Sequence, residues 1–132
     1  MINDVSEKIR SAACQVFKGN TDVVDMILAA IFAGGHVLLE DVPGTGKTVL
    51  TKALAKEVGP SGITVNSIAP GMIDTQMNAT LTDEEKKAFT DNLPISRIGT
   101  TTEIAETVYF LASDAANYIT GQTIAVDGGL TI

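Results

Sequence analysis

"VPGTGKTVLTKALAKEVGPSGITVNSIAPG" occupies residues 42–71, and its reading decides the fold. Gly44-Thr45-Gly46-Lys47-Thr48 stands between the apolar run Val37-Leu38-Leu39 and a helical pattern over residues 47–58. Strand, glycine turn and helix in that order are the context of a phosphate-binding loop. Glycines let the backbone wrap closely, so that its N–H groups point at phosphate oxygens. Lys47 adds a point charge toward the outer phosphates, Thr48 offers a hydroxyl to Mg²⁺, and the helix N-terminus adds positive potential. Gly44, Thr45, Gly46, Lys47 and Thr48 are therefore the candidate binding residues, for phosphate or for ATP or GTP with Mg²⁺. The full loop pattern wants glycine at position 41, where this chain has Asp41.

Downstream, Gly59-Pro60-Ser61-Gly62 stops the helix, and the β-branched residues 63–68 read as a second strand. Thr82-x-x-Glu85 and Thr100-x-x-Glu103 are capping boxes, each opening a helix. Residues 122–126 read as the last strand, stopped by Asp127-Gly128-Gly129. Upstream, Val5, Ile9, Ala12 or Ala13, Val16 and Phe17 recur at helical spacing over residues 3–18. Thr21 caps a second helix whose stripe includes Val23, Val24, Ile27, Leu28, Ile31 and Phe32, and Gly34-Gly35 ends it. Strands alternating with helices imply parallel pairing through right-handed crossovers. The expected fold is thus an α/β, three-layer αβα hybrid of Rossmann-like and P-loop character. It has a small parallel sheet of about three strands, order 1-2-3, and two N-terminal helices, all in a single domain over residues 1–132.

Several function classes are excluded by bulk properties. Net charge is −7, carried almost wholly by the second half of the chain, with no Trp and only six Phe and Tyr residues. Nucleic acid is not an expected partner, because phosphate neutralisation needs clustered Lys and Arg. No apolar run reaches the ~18 residues of a membrane span and no leader pattern is visible, so a cytoplasmic protein is expected. Cys14, the only cysteine, cannot form an internal disulfide, and His36, the only histidine, has no second ligand to suggest a metal site.

"GGHVLLEDVPGTGKTVLTKALA" (residues 34–55), with the helices before it, resembles the start of a MoxR-type AAA+ ATPase. That resemblance implies a Walker B strand ending in Asp-Glu, sensors and an arginine finger. None is found, and Arg10 and Arg97 are the only arginines. Asp127 is the nearest stand-in and lies two strands from the loop in a 1-2-3 sheet, which leaves residual ATPase activity a remote alternative. From residue 51 onward, "TKALAKEVGPSGITVNSIAPGMIDTQM" and "LPISRIGTTTEIAETVYFLASDAANYITGQTIAVDGG" are similar to the C-terminal part of short-chain dehydrogenase/reductases, especially 3-oxoacyl-carrier-protein reductases. The resemblance implies that Pro70-Gly71 and Ile73-x-Thr75 lie against the nicotinamide end of NAD(P), and that the last helix and strand build a subunit interface. The family's glycine-rich cofactor fingerprint and its catalytic Tyr-x-x-x-Lys do not occur here. Tyr109 is followed by Ser113 and Tyr118 by Gln122.

Two resemblances meeting within one helix point to an engineered chimera, with residues 1–50 ATPase-like and residues 51–132 reductase-like. The expectation is a non-enzymatic chain with at most weak phosphate or nucleotide binding and with NAD(P) unlikely. The alternative is a purely structural, ligand-free domain, pairing as a homodimer through the last helix and strand.

Overall fold

Three amphipathic helices organise the N-terminal part of the chain, because each presents one apolar stripe and the stripes face one another. The computed structural model describes residues 2–17, 21–39 and 46–132, without the side chains of residues 2, 3, 47 and 77. It assigns α1 to Ile2–Val16, α2 to Thr21–Phe32 and α3 to Lys47–Val58. Ile9, Ala13 and Phe17 meet Val24, Ile27 and Leu28 of α2 and Leu50, Leu54 and Val58 of α3 in one buried cluster. Val24 is 0% exposed and Leu50 1%. On the rim, Arg10 makes a forked ion pair with Asp25, at 2.7 Å and 3.3 Å, joining α1 to α2. Lys8 reaches Glu57 of α3 at 3.5 Å.

Helix ends follow local rules. Gly34 adopts φ 70°, its N–H donates to Ile31 O, and Gly35 N–H donates to Ala30 O. This pair of bonds is the Schellman arrangement, and it satisfies carbonyls that α2 leaves open.

The strand expected at Val37-Leu38-Leu39 does not form. Residues 35–39 carry no ladder, and Leu38 is 81% exposed and Val37 45%, although Leu39 packs on the helical core. An apolar run becomes a doubly buried strand only where flanking strands accept its N–H and C=O groups. No such partner exists among the described residues.

Nor does the sheet have three strands. Among the described residues it is a pair, β1 (Ser67–Pro70) and β2 (Thr123–Val126). Gly121 N–H donates to Val65 O at 2.7 Å, Ser67 N–H to Gln122 O at 2.8 Å and Gly71 N–H to Val126 O at 3.0 Å. Both sides advance together, so the pairing is parallel. The strand expected from residue 63 begins only at Ser67: ahead of it the backbone bond from Gly121 N–H to Val65 O is flanked by bonds in which side chains replace backbone partners. Val65 N–H donates to Thr120 Oγ1, and Gln122 N–H donates to Asn66 Oδ1.

The chain divides into two compact units, residues 1–67 with 120–122, and residues 68–119 with 123–132. The second holds α4 (Asp83–Thr90) and α5 (Thr101–Leu111). Both helices open with the expected capping boxes, on Thr82 with Glu85 and on Thr100 with Glu103. Among the described residues no helix is long and apolar enough to cross a membrane.

Leu50 is the tightest test of the helical core. Leu50→Ala is expected to destabilise the first unit by about 2–5 kcal/mol, read as a lower urea midpoint by circular dichroism. A loss under ~1 kcal/mol would show that α3 does not anchor the core.

Candidate functional site

Of the residues assigned to the phosphate loop, Gly44 and Thr45 lie outside the described residues, as do Glu40 and Asp41. Gly46 caps α3 at φ 86°, and its carbonyl accepts Leu50 N–H at 2.9 Å. Lys47 is the first residue of α3, its side chain undescribed, and Thr48 is exposed on the first turn. Among the described residues no strand precedes this turn, and residues 35–39 carry no ladder. His36 is exposed, and among the described residues no three His, Cys, Asp or Glu side chains cluster as metal ligands.

The second unit brings together a different set. A cavity of about 300 Å³ is lined by Met72, Ile73, Leu93, Ile95 and Val126 with the polar groups of Arg97, Glu103 and Asp127. Met72 and Ile73 enter its lining from the segment after β1, residues 70–75, which is held from two sides. On the first side Gly71 N–H donates to Val126 O. A Cβ on Gly71 would lie 2.6 Å from Asp127 Cα and 3.0 Å from Asp127 O, so only glycine fits. On the second side Ile73 and Gly99 form a parallel bridge. Gly99 N–H donates to Met72 O at 3.0 Å, and Asp74 N–H donates to Gly99 O at 2.8 Å. A Cβ on Gly99 would come within 2.8 Å of Ile73 Cδ1. In a parallel bridge the flanking groups of residues 72 and 74 make the bonds, so the N–H and C=O of Ile73 face the opposite edge. That carbonyl accepts Asn78 Nδ2 at 2.7 Å.

Another part of the lining is built on Arg97 and Glu103. Arg97 grips the Glu103 carboxylate with both terminal nitrogens, at 2.9 Å and 2.5 Å. Glu103 also accepts Thr100 N–H at 2.8 Å and the Thr100 hydroxyl at 3.1 Å. The guanidinium hydrogen bond, then those from Thr100, hold the carboxyl down to about 2 from its ordinary 4.5. The capping box was legible in the sequence; Arg97 was not, because only the loop over residues 93–99 turns it back onto α5. Asp127 closes the floor. Its carboxylate accepts Gly129 N–H at 2.9 Å, Thr131 N–H at 3.2 Å and the Thr131 hydroxyl at 2.8 Å. The Thr131 hydroxyl, followed by the Gly129 N–H, lowers its pKa. The carboxylate is engaged in its own turn, and its Walker B role is not realised.

Beyond this geometry, the sequence profile described as enoyl-(acyl carrier protein) reductase matches residues 45–131. The chain belongs to the enoyl-(acyl carrier protein) reductase family. Within the short-chain dehydrogenase/reductase group that this family represents, a curated relative is the 3-oxoacyl-[acyl-carrier-protein] reductase FabG of Staphylococcus aureus. It is 53% identical over 124 residues, covering 92% of this chain and 50% of the relative. The crystal structure of 3-oxoacyl-[acyl-carrier protein] reductase from Brucella melitensis superposes with TM-score 0.62 at 38% identity, over 65% of this chain and 32% of that one. A blue fluorescent protein from a metagenomic library, solved in complex with NADPH, superposes with TM-score 0.61 at 36% identity, over 65% of this chain and 34% of that one. The chain therefore spans at most about half the length of these relatives.

These likenesses establish the α/β, Rossmann-like class and correct four expectations. The reductase match begins at Thr45, inside the loop assigned to an ATPase, and the S. aureus alignment reaches across 92% of the chain. A seam at residue 50 between two parents is thus overturned, and with it the engineered chimera and its weak phosphate binding. The ligand-free structural domain falls for the same reason. The non-enzymatic assignment gives way to membership of an oxidoreductase family. The dismissal of NAD(P) gives way too, since family and NADPH-bound neighbour both point to that cofactor.

The Arg97–Glu103 pair sets a pH dependence. A carboxyl held below its unfolded value stabilises the fold fully above about pH 4.5, and that contribution disappears as pH falls toward 2. The melting temperature of the parent chain is expected to fall more between pH 5 and 2 than that of Glu103→Gln, which keeps the capping acceptor and removes the charge. Parallel acid titrations would refute the assignment.

Proposed function

We propose that the chain serves an NAD(P)H-dependent reductase acting on the carbonyl of a carrier-linked acyl group, with residues 70–75 forming the wall against which the nicotinamide packs. One observation carries this reading. The segment that the reductase resemblance assigns to the nicotinamide is the segment clamped between Asp127 and Gly99, with the N–H and C=O of Ile73 directed away from the Gly99 bridge. Thr75, two residues further on, is exposed.

A bound reduced nicotinamide would supply hydride for transfer to a carbonyl carbon. The residues of this chain would bind and orient it. The N–H of Ile73 and the hydroxyl of Thr75 suit the carboxamide, a planar group with one acceptor and two donors. Gly71 lets the segment seat directly on the Asp127 backbone. Neither tyrosine heads a Tyr-x-x-x-Lys, so the role assigned to these residues is cofactor contact and not proton donation. The relatives that are 3-oxoacyl-[acyl-carrier-protein] reductases support a 3-oxoacyl thioester as substrate.

Titration with NADPH, followed by nicotinamide fluorescence, is expected to saturate. Thr75→Ala should weaken binding about fivefold, the equivalent of one hydrogen bond of about 1 kcal/mol. No fluorescence change at millimolar NADPH would end this reading.

We also propose that a second copy pairs along α5 and β2. Tyr109 is 75% exposed and Phe110 45% on α5, and among the described residues β2 pairs only with β1. Light scattering at high concentration should give a dimer mass, and a monomer mass throughout would exclude it.

A further inference from the structure

The Asp127 carboxylate shapes the turn against which Gly71, at the start of the 70–75 segment, is seated. Its two oxygens hold Gly129 N–H, Thr131 N–H and the Thr131 hydroxyl. They thereby fold residues 127–131 into a knot that passes through Gly128 and Gly129 at φ 66° and 90°. Such left-handed positions are open to glycine at little cost but do not choose one conformation by themselves, so the carboxylate bonds make the choice. The knot is then fixed from outside. Gly128 O accepts Ile95 N–H at 3.0 Å, and a Cβ on Gly129 would meet Pro94 Cγ at 2.7 Å. On its other side the Asp127 backbone stands against Gly71 with no room for a methyl group.

We infer that Asp127 is a positioning residue for the cofactor-facing segment: its carboxylate sets the 127–131 knot, the knot sets the Asp127 backbone, and that backbone seats Gly71. The inference rests on the proposed function for what the segment contacts, but the mechanical link stands on geometry alone. The second clamp, Ile73 on Gly99, acts from the other side and does not involve Asp127. Loss of the carboxylate therefore frees the Gly71 end of the segment and leaves the Ile73 end bridged.

Amide hydrogen exchange on the full chain tests the link directly. In Asp127→Ala the Gly71 N–H, bonded to Val126 O, is expected to exchange at least tenfold faster. The Asp74 N–H, bonded to Gly99 O, and the interior amides of α5 should keep their rates. Asp127→Asn should recover most of the protection, since its amide oxygen still accepts Gly129 N–H while its nitrogen can donate to the Thr131 hydroxyl. Unchanged exchange at Gly71 in Asp127→Ala overturns the inference, as does uniform acceleration across α5, which would mark general destabilisation. NADPH titration of the same variants separates the two levels. Faster Gly71 exchange with about tenfold weaker NADPH binding, rescued in Asp127→Asn, supports both. Faster exchange in a chain whose parent form does not bind NADPH upholds the positioning role and rejects the proposed function.

Discussion

The close approach of Gly71 to Asp127 is the constraint on which the second unit depends. With no room for a methyl group between Gly71 and the Asp127 backbone, the exit of β1 and the exit of β2 cannot be set independently. The Gly71 N–H bond to Val126 O fixes their register, and the carboxylate of Asp127 fixes the turn that follows. From that junction the 70–75 segment runs out to its second clamp at Gly99. The loop holding Arg97 is tied to the same turn through Ile95 and Gly128. A two-stranded sheet is a weak scaffold by itself. Here the bonds of its flanking turns do what further strands would otherwise do.

The first unit is held by a different kind of interaction. Its order comes from apolar burial among α1, α2 and α3, with Leu50 and Val24 almost wholly enclosed. Its ion pairs lie on the surface, where such contacts add little. The polar groups that converge on a cavity, Arg97, Glu103 and Asp127, belong to the second unit. Family membership covers both the helix α3 and that cavity.

The glycine-lysine-threonine stretch shows how a local motif misleads. Its chemistry depends on a strand ahead of it to aim the turn, and Val37-Leu38-Leu39 has the composition of such a strand without its partners. The motif does mark a helix start, since Gly46 caps α3, but among the described residues no strand stands ahead of it to supply the context of a phosphate loop. The reductase-like stretches were the better guide. The absence of the family's signature residues bears on catalysis and says nothing against the kinship of the residues present.

What the sequence determined by itself is what a few neighbouring residues settle between them. The capping boxes at Thr82 and Thr100, the glycine stop after α2 and the apolar stripes of three helices need only contacts within a turn or two, so spacing reveals them. Tertiary structure decided whatever required distant partners. Whether residues 37–39 became a strand, where β1 began once Thr120 and Asn66 replaced backbone partners, and that Gly71 would seat on Asp127 all turned on groups far apart along the chain. Side-chain capping is a local equilibrium, whereas strand pairing and close packing exist only once the chain has brought both partners together.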